Sequence, residues 1–460
     1  MLDIVESARG LMDTLGFNWK SLVIGFTVTN FLFDSYVKYR QIRCVEKNGE
    51  VIPLELSKYS IDTDTVIKSS KYSLAKLKFS IVDGLYDLVQ NLAIFHWDVL
   101  PKVWTASGCI LGKLITWIPS IASFTQGSVI AQSLVFMGVY SIASVILSIP
   151  TKYYHNFVLE ESFGFNKLTT KLWASDTIKQ LALTFIMGGP ILAAMLKIMD
   201  KFGDSFMYYM PAFLFAVQIF TILIYPKVIL PLFNDLKPLE EGELKTEIEK
   251  LAISNKFPLD KVNVIDGSKR SGHSNAYFMG LPFASKQIVI YDTLIEHSTV
   301  QEVVAVLGHE IGHWKHNHTT KLMFISEAHI FMLFSLFSAF IKNRSFYNSF
   351  GFGLLTGVQE MPALIGLLLF GDVLKPLDAV MQFVMNLVTR TYEYQADEYA
   401  AQQGFSTDLK SALVALHKEN LSSLVVDSVY SAKEYSHPTV VERLGAIDAY
   451  LSSVESKKEK

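Results

Sequence analysis

Long stretches without a charged residue are the feature that most limits how this chain can fold. Leu114–Thr151 and Ser205–Pro226 contain no Asp, Glu, Lys or Arg, and neither does Gln180–Leu196. A helix that crosses a bilayer needs about 20 mostly apolar residues, whereas helices of soluble proteins seldom exceed about 20 residues in all. The runs therefore predict several transmembrane helices, although Leu114–Thr151 could hide a re-entrant piece around Pro119.

The composition agrees with a membrane protein. Only 18% of the residues are charged, against about 25% in ordinary globular proteins, and 32 Phe and 20 Tyr residues add apolar surface. The two cysteines exclude a disulfide framework, so we expect no disulfide partner. A formal net charge of -3 provides no general basic surface, so we expect the bilayer and not nucleic acid as a partner.

Four further apolar stretches are weaker candidates for membrane spans: Ser21–Phe33, Ser80–Leu100, Leu322–Ile341 and Met361–Met385. Most of these weaker candidates carry ionisable side chains: Asp83, Asp87, Glu327, His329, Asp372 and Lys375. Ionisable groups at bilayer depth usually face the interior of a bundle or a water-filled cavity. The charges therefore indicate helices around an aqueous chamber, unless the spans end earlier than the apolar runs do.

Lys and Arg near the first span predict its orientation. The first 20 residues hold only Arg9 and Lys20, whereas the 38–79 loop is rich in both residue types. Because cytosolic loops carry the excess of positive charge, we place 38–79 in the cytosol and the N-terminus in the lumen. We expect four segments: 1–231 with about five spans, 232–320 with a soluble cytosolic-side segment, 321–388 with two more spans, and 389–460 with a second soluble segment and a cytosolic tail.

A metal-binding motif lies in the second segment. His309-Glu310-Ile311-Gly312-His313 matches H-E-x-x-H within Thr299–Lys315, whose apolar pattern predicts a helix. Histidines at positions i and i+4 share one helix face and can bind the same Zn²⁺. Glu310 follows the first histidine, where it can deprotonate a water molecule instead of binding the metal. A strand is predicted nearby, over Gln287–Asp292.

A catalytic zinc also needs a third protein ligand. The extended motif with a third histidine is excluded, because it requires Gly and His where this chain has His316 and Thr319. A glutamate on a later helix is the other solution, and Glu393 has Asp397 one turn further on. The alternative is an ordinary acidic helix face. Two spans between His309 and Glu393 would bring both residues to the same side of the membrane.

The remaining histidines of this region are given smaller roles. We expect His316 and His318 to be solvated or to cap the end of the motif helix. His329 lies within a predicted span, where it could line a polar cavity, but a hydrogen-bonded core histidine is the more frequent case.

Several segments together resemble the type I CAAX prenyl proteases, the membrane zinc endoproteases that mature fungal a-factor and animal prelamin A. Besides the two metal-binding segments, the matching stretches are Phe157–Lys167, Pro231–Asn234, Pro238–Lys245, Asp266–Phe278, Tyr435–Pro438 and Glu442–Leu444. They extend from about 30 to 450, and the pattern is most similar to the fungal branch. Gly308 departs from the family pattern, because the family usually has Ala at this position. We expect the glycine to cost little helix stability and to leave the chemistry unchanged.

The resemblance implies a mainly α fold, with seven transmembrane helices enclosing a chamber and a gluzincin-type zinc protease domain that carries a small β-sheet. The protease segments would be 232–320 and 389–460. It implies one Zn²⁺ per chain, bound by His309, His313 and Glu393. Glu310 would be the general base, and Asp397 would act as an acidic residue behind the ligands.

The resemblance also assigns residues that contact the substrate. Asn275, Ala276 and Tyr277 would form an edge strand that pairs with the substrate backbone. His437 and Arg443 would help to polarise the scissile carbonyl and stabilise its oxyanion. The implied substrates are prenylated C-terminal CAAX proteins, from which the a-a-X tripeptide is removed, with a further N-terminal cut in a-factor-like precursors.

The implied location is the endoplasmic reticulum membrane, and the inner nuclear membrane as well, with the active site and the C-terminus on the cytosolic side. Lys457–Lys460 would fit a dilysine retrieval signal or a plain charged tail. Three alternatives stay open: an intramembrane-cleaving protease, a quality-control zinc protease for membrane proteins, and a zinc-bearing transporter or scaffold without proteolysis. The polar flanks of the motif disfavour the first, and the intact Glu310 disfavours the last.

Overall fold

The computed structural model describes residues 6–7, 10, 13, 16–281, 284–355 and 361–458, and it is mainly helical. The helices of 12 residues or more in these ranges are α1 (Trp19–Asn48), α2 (Thr63–His96), α3 (Val99–Trp117), α4 (Val129–Tyr154), α5 (Thr170–Leu183), α6 (Gly189–Phe202), α7 (Phe206–Ile224), α8 (Glu243–Ser254), α9 (Val300–Lys315), α10 (His318–Phe340), α11 (Ala363–Gln402), α12 (Ser406–Glu419) and α13 (Val440–Lys458).

Shorter helical pieces connect these helices. The short α-helices are Ala122–Thr125, Glu161–Phe163, Leu230–Phe233, Asp292–His297, Arg344–Ser349, Phe352–Leu355 and Ser428–Glu434. Three π-helical turns, at His155–Glu160, Thr184–Gly188 and Tyr225–Ile229, continue the apolar helices before them. Such turns are frequent at functional sites, and the last of them is followed by Leu230–Phe233 and β1.

Three helical stretches of the described residues are long and apolar enough to cross a membrane: Val129–Phe163, Thr170–Phe233 and His318–Phe340. The second stretch has 64 residues, which is far longer than one crossing requires. Gly203 adopts a positive φ of 52° between α6 and α7, a conformation that glycine adopts without strain, and the chain turns there. The count of seven spans remains a prediction.

The longest charge-free run, Leu114–Thr151, forms parts of two helices. Helix α3 ends at Trp117, a short turn follows at Pro119–Ile121, and α4 begins at Val129. Proline cannot donate the backbone hydrogen bond that would continue a helix, and the Ser128 hydroxyl accepts a hydrogen bond from the Ala131 amide to start the next one. The run is therefore interrupted around Pro119, and the re-entrant piece suggested there remains a prediction.

The sheet has four strands, β1 (Leu236–Pro238), β2 (Leu259–Ile265), β3 (Ala276–Met279) and β4 (Lys286–Tyr291), in the spatial order β1-β2-β4-β3. Strand β4 confirms the predicted strand. It pairs with β2 in parallel and with β3 antiparallel, so β3 lies at one edge of the sheet. The inner face packs against α8 and α9 through a shared apolar cluster that includes Ile290, Leu294 and Leu307.

The helix predicted over the metal motif is α9. Its first turn is held by a capping box, in which Thr299 accepts from the Glu302 amide and Glu302 accepts from the Thr299 amide. It ends before Asn317, which adopts a left-handed conformation with φ of 56°. The chain reverses there, so His318 begins α10 and does not end the motif helix.

Helix α11 runs without a break through 40 residues, from the last predicted span into the protease segment. At a rise of 1.5 Å per residue it is about 60 Å long, and Pro376 does not end it. The boundary that we drew between 388 and 389 falls inside this helix. Glu393 and Asp397 are therefore on the same helix as the span.

Candidate metal centre

Helices α9 and α11 pack closely against each other at Gly312. A Cβ atom on Gly312 would lie 3.0 Å from the Ala396 Cα atom and 3.1 Å from the Ala396 carbonyl oxygen. Those atoms belong to backbone and cannot turn aside as a flexible side chain would. The absent side chain at Gly312 thus lets the two helices pack with their backbones in contact, and this packing brings His309 and His313 to the face of α11 that carries Glu393.

Three side chains converge at this crossing. His309 Nε2 lies 3.1 Å from His313 Nε2, and Glu393 places one carboxylate oxygen 3.4 Å from His309 Nε2 and the other 3.2 Å from His313 Nε2. Ligands about 2.0–2.1 Å from a tetrahedral zinc ion are about 3.3 Å apart. The buried Oε2 atom of Glu393 also accepts no hydrogen bond of good geometry. The three residues fit a zinc ion.

Asp397 and Arg443 lie behind the first histidine. Asp397 Oδ1 is 2.8 Å from His309 Nδ1, and the Arg443 guanidinium donates two hydrogen bonds to the same carboxylate, at 2.8 Å and 2.5 Å. Burial alone would raise the pKa of Asp397, but the Arg443 charge and the hydrogen bonds outweigh it and hold the pKa at about 2. The ionised carboxylate favours the His309 tautomer whose Nε2 atom is free to bind a metal.

Glu310 follows the first histidine and lies half-buried beside the metal-binding cluster. Burial raises the pKa of its carboxyl group above the ordinary value, although His309 and His313 act in the opposite direction. A carboxylate with a raised pKa is a stronger proton acceptor, which suits a general base. The structure thus places Glu310 where it can take a proton without occupying a ligand position.

His437 and Arg443, which the resemblance placed at the scissile carbonyl, have different surroundings. The His437 side chain is 65% exposed, with its Nδ1 atom 2.9 Å from Glu393 Oε2, and it lines an open cavity of about 310 Å³. Arg443 packs against Asp397 with 12% of its side chain exposed, and its Nη1 atom is 3.7 Å from a Glu393 carboxylate oxygen. His437 is therefore accessible from the cavity, whereas the contacts of Arg443 are made to the residues that surround the metal position.

The predicted substrate-pairing residues lie at the sheet edge. Ala276 and Tyr277 open β3, and Asn275 directly precedes it. The Asn275 carbonyl accepts a hydrogen bond from the Tyr291 amide, and its side-chain oxygen accepts one from the Ala276 amide. Because β3 pairs with β4 on one side, the other side of this strand is the edge at which an extended peptide could add.

A polar network attaches the start of this strand to the helices of the N-terminal half. His273 Nδ1 is 3.0 Å from the Asn420 side-chain oxygen, which also accepts from the Ser274 amide. On its other side His273 faces Glu160, with its Nε2 atom 3.6 Å from a Glu160 carboxylate oxygen, and Glu160 accepts a hydrogen bond from the Tyr72 hydroxyl. Four segments distant in sequence therefore meet two residues before Asn275, which the sequence alone did not indicate.

The prediction for His318 was wrong. The sequence suggested a solvated or capping residue, but only 1% of His318 is exposed, and its Nδ1 atom is 3.0 Å from His313 Nδ1. The left-handed Asn317 turns the chain back so that the first residue of α10 reaches the second motif histidine. His316, by contrast, is exposed as expected.

The fold and this site define a class of protein: a helical membrane metalloprotease whose metal position lies where α9 and α11 cross. Two family models match the chain. Residues 41–235 match the CAAX prenyl protease N-terminal region with five membrane helices, and residues 238–451 match peptidase family M48.

Individual relatives agree with the family models. CAAX prenyl protease 1 of Saccharomyces cerevisiae is 47% identical over 98% of this chain and 99% of its own, and the human CAAX prenyl protease 1 homolog is 36% identical over 92% and 94%. The crystal structure of S. mikatae Ste24p superposes with a TM-score of 0.87 at 48% identity, covering 94% of this chain and 99% of that one.

The chain belongs to the CAAX prenyl protease family of M48 zinc metallopeptidases. It is a multi-pass membrane zinc metalloendopeptidase of the CAAX type, and the mainly helical fold with a small sheet is confirmed. The roles of single residues and the segment boundaries remain predictions.

The close approach at Gly312 predicts a matched pair of variants. Gly312→Ala should push α11 away from α9, separate Glu393 from the histidines and lower zinc affinity at least tenfold. Gly308→Ala is the control: its Cβ would meet only side chains, the Phe405 ring at 3.1 Å and Ala400 Cβ at 3.9 Å, and the gain of about 1 kcal/mol in helix propensity offsets that contact. Zinc affinity is measured by chelator competition. Equal affinities in the two variants would contradict this account of the crossing.

Proposed function

We propose that His309, His313 and Glu393 hold the zinc ion of this protease, and that Glu310 is its general base. The observation that carries the proposal is the convergence of three ligand atoms at 3.1–3.4 Å, with Glu310 next to the first ligand. When bound there, zinc supplies Lewis-acid activation of a carbonyl group and of water.

The residues of the chain itself divide the remaining tasks. Glu310 accepts the proton of the attacking water and passes it to the nitrogen of the departing peptide, so the base becomes the acid of the second step. The free side of β3, led by Asn275, Ala276 and Tyr277, holds the substrate as an added strand. His437, exposed to the cavity, donates to the scissile carbonyl oxygen, and the positive charge of Arg443 helps to stabilise the oxyanion that develops there.

The proposed substrates are proteins whose C-terminal CAAX cysteine carries a prenyl chain. Removal of a-a-X leaves a prenylcysteine carboxylate. The names of the relatives support this substrate class, and the membrane helices provide the apolar surroundings that a lipidated peptide needs. We extend the proposal to an N-terminal cut in a-factor-like precursors, on the similarity to the fungal branch.

We place the protein in the endoplasmic reticulum membrane, and also in the inner nuclear membrane, with the metal centre on the cytosolic side. The Lys and Arg residues of the 38–79 loop support this orientation, which also puts the N-terminus in the lumen and the C-terminus in the cytosol. The suggested retrieval signal ends at 459–460, outside the described residues. A quality-control role for the same centre remains the alternative function.

The test is the hydrolysis of a farnesylated C-a-a-X peptide by the full chain in lipid nanodiscs. We expect release of the tripeptide, its loss on treatment with a chelator, and its return when zinc is added. The matched control is the same peptide without farnesyl, which should be cleaved at least tenfold more slowly. Cleavage that is insensitive to the chelator would overturn the metal assignment, and equal cleavage of both peptides would favour the quality-control alternative.

A further inference from the structure

His318 lies between a proposed metal ligand and a side chain of the long helix. Its Nδ1 atom is 3.0 Å from His313 Nδ1, and its Nε2 atom is 2.9 Å from the Gln395 side-chain oxygen. The ring also stacks on Tyr392, with 4.1 Å between centroids and 5° between planes. With 1% of its surface exposed, the imidazole is held on every side by α9 and α11.

The hydrogen-bond partners determine which ring nitrogens of His318 and His313 carry a proton. A neutral imidazole has one donor nitrogen and one acceptor nitrogen, and the Gln395 oxygen can only accept. His318 therefore donates from Nε2 and accepts at Nδ1. His313 must then donate from its own Nδ1, which leaves the lone pair of its Nε2 atom directed toward His309 and Glu393, as a metal ligand requires.

The two motif histidines are thus supported in different ways. His309 is held at Nδ1 by the charged Asp397, and His313 is held at Nδ1 by the neutral pair of His318 and Gln395. Gln395 lies two residues from Glu393 on α11, so the hydrogen bonds also tie the motif helix to the helix of the third ligand through the first residue of α10.

We propose that His318 and Gln395 are positioning residues that fix the tautomer and ring orientation of His313 for metal binding. The proposal rests on the ligand roles proposed above and assigns a function to two residues outside the metal motif. Both act through His313 and neither contacts the substrate.

The first arm of the test compares His318→Phe with His316→Phe in the full chain. Phenylalanine at 318 keeps a ring that can stack on Tyr392 but removes both nitrogens, and we expect zinc affinity to fall 10- to 100-fold. His316 is exposed and stacks on His318 at 5.4 Å between centroids, so its replacement should change zinc affinity less than threefold. Affinity is measured by chelator competition, and the unfolding temperature of the zinc-free protein is recorded for each variant.

His318→Asn provides the conservative rescue. An asparagine oxygen lies close to the position of Nδ1 and can accept from His313, so we expect zinc affinity within about fivefold of the parent. A purely structural role of the ring would give the opposite order, with His318→Phe better tolerated than His318→Asn.

The second arm changes Gln395 and tests the direction of the hydrogen bonds. Glutamate can only accept, so Gln395→Glu should keep zinc affinity or increase it, whereas Gln395→Leu should lower it about tenfold. If Gln395 instead donated to His318, the proton order would reverse and Gln395→Glu would weaken zinc binding. This pair also carries the test if His318→Phe fails to fold, because Gln395 is only half-buried.

His313→Ala distinguishes a failure of the ligand assignment from a failure of the positioning role. If this variant keeps zinc, the ligand assignment of the proposed function fails. If it loses zinc while His318→Phe and Gln395→Leu bind zinc as tightly as the parent, the ligand assignment stands and the positioning role is overturned.

Discussion

Replacement of Glu310 by Gln is expected to reduce cleavage of a farnesylated peptide about a thousandfold while zinc stays bound. Glutamine has nearly the shape of glutamate but cannot accept a proton, and a positioned base contributes about 10²–10⁴-fold to such reactions. The atoms that converge on the metal position come from His309, His313 and Glu393, so the substitution removes no ligand. Turnover and zinc content are measured on the same preparation.

The control for this variant is Glu398→Gln. Glu398 is an exposed carboxylate on α11 that only accepts a hydrogen bond from Gln402, so its neutralisation should leave turnover within twofold. Substantial hydrolysis by Glu310→Gln would refute the base assignment. Loss of zinc together with loss of turnover would instead make Glu310 part of the metal-binding set.

The second large effect is expected at Arg443. Arg443→Met should destabilise the protein by about 3–5 kcal/mol, because it leaves the buried Asp397 carboxylate without the charge that compensates its burial. Zinc affinity should fall as well, since an uncompensated Asp397 takes up a proton and no longer holds His309 at Nδ1. The free energy of unfolding is measured by denaturant titration in detergent, and zinc affinity by chelator competition.

Two further variants separate charge from geometry at this position. Arg443→Lys keeps the charge but loses the two parallel hydrogen bonds to Asp397. Its free energy of unfolding should therefore lie between those of Arg443→Met and the parent protein. The double variant Arg443→Met with Asp397→Asn removes both charges and should recover part of the stability. If Arg443→Met were as stable as the parent and lost only turnover, Arg443 would act on the substrate alone, as the resemblance implied.

The elements predicted well from the sequence are those whose pattern is local. The apolar period and capping residues of Thr299–Lys315 lie within one helix, and the strand over Gln287–Asp292 is marked by β-branched residues bounded by polar ones. Spans carry an equally local signal in the absence of charge. For the strand and the motif helix the structure moves the boundaries by no more than one residue, as hydrogen bonding at the ends decides them. The helices that contain the apolar runs differ from those runs by many residues at several ends.

The parts that could not be predicted depend on contacts between distant residues or on one backbone conformation. His318 is five residues after His313, which is off the face of the motif helix, and only the left-handed Asn317 returns it to that histidine. The contact of His273 with Glu160 joins residues more than a hundred positions apart. The continuity of α11 past Pro376 could not be inferred either, because a proline more often marks the end of a helix.

The unbroken helix α11 has a consequence for attempts to divide the protein. A cut between the last predicted span and the C-terminal protease segment must pass through this helix. The fragment that keeps Glu393 and Asp397 would lose the apolar N-terminal turns of α11 that precede them. Such a fragment would present a helix end where the intact chain has an internal turn, with unsatisfied backbone groups a few turns from the metal position. The proposed metal-binding residues of this helix and the last predicted span therefore depend on one continuous element.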